Sequence, residues 1–186
     1  MKYFIDLDDT LVNSTNLNND AYNFALEQYG FDRIITKERL TRVLLTGYKN
    51  LNEIIQLKQK YFTLDWLPYR LILNKELLLK ISKFGKLNCF LWTKADKIRA
   101  IKIMESCDLS KLFNDVIFDD KINFSTSLHK LKQISNSNNI VIYENNHDFF
   151  QNQKYKIIDK INNQYFNIKG YLVWDSLFYF LTIKNA

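Results

Sequence analysis

The chain has 186 residues, 47% hydrophobic and 25% charged, enough for one well-buried core or a core with a small accessory unit and too few for two ordinary domains. The net charge is +6 and the pI near 9.1, with basic residues spread along the chain rather than gathered in a stripe. That diffuse excess favours anionic ligands such as phosphates and argues against a dedicated nucleic-acid surface. The opening Met1-Lys2-Tyr3-Phe4-Ile5-Asp6 meets a charge too early for a secretory signal, and no later apolar run reaches the roughly 18 to 20 residues of a membrane span, so a cytoplasmic location is expected.

The first element is a short apolar strand at 3–5 that runs directly into Asp6, Asp8 and Asp9. While the backbone stays extended, Asp6 and Asp8 share one face and Leu7 points to the other. Two acids crowded together repel unless a cation or a shared proton relieves them. After a polar connector, Tyr22, Ala25, Leu26 and Tyr29 recur at helical spacing up to Gly30, and further helical patterns follow at 37–46 and 51–62. Pro68 punctuates the chain, and a helix carrying Leu77, Leu78, Ile81 and Phe84 runs to Gly85.

From there strand and helix alternate, with strands expected at 87–93, 115–118, 139–143 and 155–158 and helices near 95–106, 125–135 and 146–153. The alternation predicts an α/β fold, a Rossmann-like, mostly parallel sheet with helices on both faces. A short edge strand at 165–168 and a buried helix over 174–183 are expected to close the chain. The helical block at 16–70 reads as a small all-helical cap inserted into a core made of 1–15 and 71–186, sitting where open α/β sheets bind ligands. Cys89 and Cys107 fall in apolar periodic segments without paired spacing, which points to core packing.

In a parallel sheet the strand ends face one crevice, so their residues belong together. They are Asp6 and Asp8, Trp92-Thr93-Lys94, Lys121, and Glu144-Asn145-Asn146-His147-Asp148. Acids at two strand ends supply hard oxygen ligands that suit Mg²⁺. A hydroxyl and an ammonium beside such a metal suit a phosphoryl group, whose equatorial oxygens gather charge in the transition state.

These residues resemble the haloacid dehalogenase-like hydrolase superfamily, most of whose members are Mg²⁺-dependent phosphatases. Asp6-Leu7-Asp8-Asp9-Thr10 matches its first motif, Phe90-Leu91-Trp92-Thr93 the second, and a Lys at or before a later helix the third. Glu144 and Asp148 match the spacing of the fourth, although Tyr143-Glu144 stands where Gly-Asp is usual. The resemblance spans nearly the whole chain and implies a helical cap after the first motif. It implies Asp6 as nucleophile forming an aspartyl-phosphate, and Asp8 as acid/base with a raised pKa. Thr93 and a lysine would hold the phosphoryl oxygens, and Mg²⁺ would be bound by Asp6, the Asp8 carbonyl and Glu144 or Asp148. Lys121, Lys130 and Lys132 are all candidates for the lysine, with Lys121 nearest a strand end. Lys94 reads equally as a substrate contact or a surface lysine, whereas His147 and His129 read as loop and surface residues. Because Asp8 can deliver a proton, cleavage of a small phosphate ester is favoured over carbon–halogen cleavage. A phospholigand-binding protein with a decayed site, and a nucleic-acid end phosphatase, are the alternative readings.

Overall fold

The computed structural model describes residues 1–61, 70–146 and 149, and the backbone course of 156–167 and 172–183. Strands β1 (Lys2–Ile5), β4 (Cys89–Thr93), β5 (Asp115–Phe118) and β6 (Ile140–Tyr143) pair in parallel in the order β6-β1-β4-β5. This is the expected parallel sheet. Their side chains alternate between two cores, as period-two strands buried on both faces must. Ile5, Cys89, Leu91, Val141 and Tyr143 pack on one face with Leu77 and Ile81 of α3 (Lys75–Phe84) and Ala100, Ile103 and Met104 of α4 (Lys97–Ser106). Phe4, Phe90, Trp92, Ile117, Ile140 and Ile142 pack on the other with Leu131 of α5 (Phe124–Ser135).

Antiparallel strands extend the sheet beyond β6. β8 (Leu172–Ile183) pairs with β6 and with β7 (Lys156–Asn167), β7 pairs with β3 (Ile72–Asn74), and β3 pairs with β2 (Val12–Asn13). The helix expected at 174–183 is therefore the second arm of a long hairpin. The strands expected at 155–158 and 165–168 are two ends of one strand. Periodicity cannot separate a buried strand from a buried helix in a run that is apolar nearly all round, and the aromatic residues of Trp174-Asp175-Ser176-Leu177-Phe178-Tyr179-Phe180 favour the pleat. The helix expected near 146–153 lies outside the described residues except at Asn146 and Phe149.

Between β2 and β3, α1 (Thr15–Gln28) and α2 (Leu51–Tyr61) form as expected, and Tyr22, Leu26, Leu40, Leu45 and Ile54 build a third core. No helix forms at 37–46, and the chain there is irregular with turns. Two buried asparagines of α1 explain the difference, because their amides take backbone groups of Glu38 and Leu40. Asn19 Nδ2 donates to the Glu38 carbonyl (2.7 Å) and Asn19 Oδ1 accepts from Leu40 N (2.8 Å), while Asn18 Nδ2 donates to the Leu40 carbonyl (2.9 Å). Asn23 holds Ile34 in the same two-sided way. Local side-chain partners of this kind compete directly with helix formation.

The loop after β1 is anchored just as specifically. Leu11 N and Val12 N both donate to the Leu7 carbonyl, and Asp9 adopts φ 57°, a left-handed conformation uncommon for a residue with a Cβ. Buried Asn74 then ties the loop to α3. Its backbone N donates to the Leu11 carbonyl (2.9 Å), its Nδ2 to the Thr10 carbonyl (3.1 Å), and its Oδ1 caps α3 by accepting from Leu77 N (3.1 Å). Replacing Asn74 with Ala should cost about 2–3 kcal/mol, a lost cap plus a buried carbonyl left short of a donor. Asn74→Asp, which keeps the cap acceptor but sets a buried carboxylate oxygen against the Thr10 carbonyl, should cost at least as much, as read from urea unfolding midpoints at constant slope.

Candidate functional site

The register Ile5↔Leu91 and Ile5↔Tyr143 sets the carboxyl ends of β1, β4 and β6 side by side, so Asp6, Thr93 and Glu144 emerge at one sheet edge. Asp6 N continues the ladder by donating to the Tyr143 carbonyl at 2.9 Å. Thr10 Oγ1 reaches Asn145 Oδ1 at 3.2 Å and joins the same two loops a second time.

At the centre lies the Lys121 ammonium, 2.6 Å from Asp6 Oδ1 and 2.5 Å from Glu144 Oε2, with all three side chains no more than 8% exposed. The Nζ also sits 4.1 Å from the centroid of the Trp92 ring. Trp92 is held in turn by its Nε1–H, which donates to Asp119 Oδ2 at 3.0 Å. Lys121 has φ 52°, and its backbone N donates to Asp119 Oδ1, so a left-handed residue turns the lysine back over the sheet edge. Burial, and then the Glu144 carboxylate, push the Asp6 carboxyl above its usual range against the pull of Lys121. Burial works to lower the Lys121 ammonium, but the Asp6 and Glu144 charges outweigh it and raise the net value.

Asp8 faces different partners. Arg99 of α4 grips it with both ends, Nη1 at 2.8 Å from Oδ1 and Nη2 at 2.5 Å from Oδ2. Ser14 Oγ donates to Asp8 Oδ1 at 2.5 Å, and Arg39 Nη2 lies 3.4 Å away. Burial works to raise Asp8, but the Arg99 and Arg39 charges win and hold its carboxyl well below the usual carboxylate range. The direction is opposite to the raised pKa expected of an acid/base residue. The carboxylate of Asp9 accepts from Ser14 N, Thr15 N and Thr15 Oγ1 at 2.8–2.9 Å and from Arg39 Nη1 at 2.7 Å. It thereby satisfies the first free N–H groups of α1, a turn-shaping role consistent with an acid at a helix start.

The remaining predicted residues are placed as follows. Thr93 is 1% exposed, and its hydroxyl accepts from Ala95 N at 3.1 Å. It also lines a cleft of about 230 Å³ with Lys94, Ala95, Phe118, Asp119, Asp120 and Lys130. Lys130 donates to the Phe118 carbonyl beside that cleft, whereas Lys121 is the lysine that meets Asp6. Lys132 is on the last turn of α5. Asp148 and His147 lie outside the described residues.

Arg39, Arg99 and Ser14 were missed from the sequence. Arg99 had one available signal, its position in the first turn after Asp96, whose side chain caps the helix that follows Thr93.

The carboxylates of Asp6 and Glu144, both turned toward one buried cation, form a hard-oxygen pair that fits Mg²⁺. Among the described residues no group of three His, Cys, Asp or Glu side chains converges. Mg²⁺ does not require one, since it keeps several waters and takes one or two carboxylates.

Compared by sequence, the chain matches no family model and no curated protein. Compared by structure, it is similar to a haloacid dehalogenase-like family hydrolase from Streptococcus pneumoniae, with a TM-score of 0.60 at 15% identity over 76% of this chain and 73% of that one. It is also similar to CbbY from Rhodobacter sphaeroides, solved in complex with phosphate, with a TM-score of 0.59 at 15% identity over 76% of each chain. A predicted phosphatase from Clostridium acetobutylicum gives a TM-score of 0.53 at 13% identity over 76% and 74%. The chain thus shares its fold with these solved structures, among them the haloacid dehalogenase-like family hydrolase.

Proposed function

We propose that the protein is a Mg²⁺-dependent phosphomonoesterase that acts on a small phosphorylated metabolite such as a nucleotide or sugar phosphate. The observation that carries this reading is the buried convergence of Asp6, Lys121 and Glu144 at the carboxyl ends of β1 and β6. The likeness of the fold to that of several hydrolases and phosphatases supports it.

In this reading an Asp6 oxygen attacks phosphorus in line and the P–O bond to the leaving group breaks, which splits one difficult displacement into two easier ones. The Lys121 ammonium and the Thr93 hydroxyl hold the phosphoryl oxygens as charge gathers on them. Asp8 passes a proton to the leaving oxygen and later takes one from the water that hydrolyses the aspartyl-phosphate. For that, Arg99 and Arg39 must loosen their hold on Asp8, and an entering phosphate dianion is a competing partner for both guanidiniums. Mg²⁺, held by Asp6, the Asp8 carbonyl and Glu144 or Asp148, would reduce the repulsion between an anionic nucleophile and an anionic substrate. The unit at 16–70 would serve as a cap over the site, excluding water and selecting the substrate.

A second reading, a phospholigand-binding protein without turnover, is favoured by one observation. Asp8 is held as a carboxylate by two arginines and a serine, a poor starting state for a proton donor.

Three measurements separate the readings. Phosphate release from p-nitrophenyl phosphate should fall by a factor on the order of 10⁴ or more in Asp6→Asn, as when a covalent nucleophile is removed. Equal rates in variant and wild type end the enzymatic reading. Asp8→Asn should lower the turnover of an alkyl ester such as glycerol 3-phosphate by roughly 10²–10⁴. The loss on p-nitrophenyl phosphate should be smaller, since that leaving group departs without a proton. Chelation by EDTA should abolish turnover, with recovery on added Mg²⁺, and Glu144→Gln should raise the Mg²⁺ concentration needed for half-maximal rate.

A further inference from the structure

Lys121 has a third partner that the proposed chemistry does not use, the indole of Trp92. Its Nζ lies 4.1 Å from the centroid of that ring, besides 2.6 Å from Asp6 and 2.5 Å from Glu144. The two kinds of partner differ in what a second cation does to them. Carboxylate oxygens are ligands that a hard metal ion takes for itself, whereas a ring face attracts an ammonium through its quadrupole and offers such an ion no oxygen.

The ring is fixed from several sides. Trp92 is fully buried at the end of β4, packs on the α5 face with Phe90 and Ile117, and lies 5.4 Å between centroids from Phe149. Its Nε1–H donates to Asp119 Oδ2 at 3.0 Å, and Asp119 Oδ1 accepts from the backbone N of Lys121 at 3.2 Å. One carboxylate therefore fixes the ring and the residue that carries the ammonium to each other. Burial works to raise the Asp119 carboxyl, but hydrogen bonds from Trp92, Ser127 and Lys121 N hold it below its ordinary value, so it stays an acceptor for all three. Lys121 itself has φ 52°, a conformation that a residue with a Cβ keeps only where its surroundings impose it.

Once Asp6 and Glu144 share their oxygens with Mg²⁺, the Lys121 ammonium meets a like charge and its hold on both carboxylates weakens. The ring face is the partner it keeps. We infer that Trp92, oriented by Asp119, is a positioning residue for Lys121, its indole face holding the ammonium at the sheet edge where it meets the phosphoryl oxygens of the substrate. This rests on the phosphatase reading for what the ammonium meets, but the contact itself can be tested without turnover.

The experiment has two arms. The first is NMR of protein carrying lysine isotopically labelled at Cε, with Lys121→Met identifying the Lys121 signal. In the wild-type protein the indole ring current should displace that signal upfield of the other lysines, and the displacement should persist when Mg²⁺ is added. Trp92→Leu and, separately, Asp119→Ala should each reduce it. The second arm is turnover of p-nitrophenyl phosphate at saturating Mg²⁺. Both substitutions should lower kcat roughly ten- to thirtyfold, the worth of a desolvated cation–π contact, and change KM less. Trp92→Phe, which keeps a ring face, should recover most of the loss seen in Trp92→Leu. Asp119 is only partly buried, so its variant keeps the test open where a change at buried Trp92 prevents folding. A displaced Lys121 signal without turnover in any protein overturns the phosphatase reading and leaves the contact standing. A Lys121 signal among the other lysines with or without Mg²⁺, wild-type kcat in both Trp92→Leu and Asp119→Ala, or a Trp92→Phe protein no faster than Trp92→Leu, overturns the role of Trp92.

Discussion

The site depends on one buried ammonium. Lys121 is the cation between Asp6 and Glu144, and without it two carboxylates would be taken out of water against each other, at an effective cost of several kcal/mol per ion. One ammonium does not neutralise two carboxylates, and in the trio burial and the second carboxylate push Asp6 toward its neutral form. A hard divalent cation beside the pair would favour the ionised form instead. The Trp92 ring beneath Lys121, fixed through its hydrogen bond to Asp119, limits where the ammonium can sit. Asp119 holds both the indole and the Lys121 backbone, so the end of β5 positions the ammonium that meets Asp6 at the end of β1.

Asp6 and Asp8 are separated by one residue but occupy opposite electrostatic surroundings. Asp6 is pushed toward its neutral form by burial and Glu144, whereas Asp8 is held as an anion by two guanidiniums. Neighbouring acids whose environments drive their protonation apart are the usual basis for a division of roles. Here the direction is opposite to the one required of a resting proton donor at Asp8, and the arginines responsible come from both the sheet and the inserted segment.

Much of the sheet was legible because β1, β4, β5 and β6 are short apolar runs with clear polar ends, and the parallel arrangement followed from the intervening helices. The same logic brought Asp6, Lys121 and Glu144 together, since residues at the carboxyl ends of parallel strands must meet. Two segments misled for distinct reasons. Residues 37–46 have helical spacing, but the partners of their backbone are asparagine side chains on α1, an arrangement that hydrophobic periodicity does not encode. In the last strand the apolar content is so continuous that neither period stands out. The arginine pairs at Asp8 were hidden for a related reason. Arg39 sits in the segment whose course was misread, and Arg99 shows as functional only once α4 is set against β1.

Helix α1 belongs to two cores at once. Leu17 and Ala21 pack with the sheet-side cluster, while Tyr22, Ala25 and Leu26 pack with the core of the inserted segment. Its first turn is moored to Asp9, only three residues from Asp6 in the chain. The mechanical consequence is that the inserted unit has no free joint on this side. A displacement of α2 or of the 31–50 loop can proceed against α1 as a fixed surface, but rotation of α1 itself would carry Asp9 along and disturb the loop that holds Asp6 and Asp8. For the same reason, transplanting a different insertion onto this sheet would require replacing the loop that carries Asp6, Asp8 and Asp9 together with it.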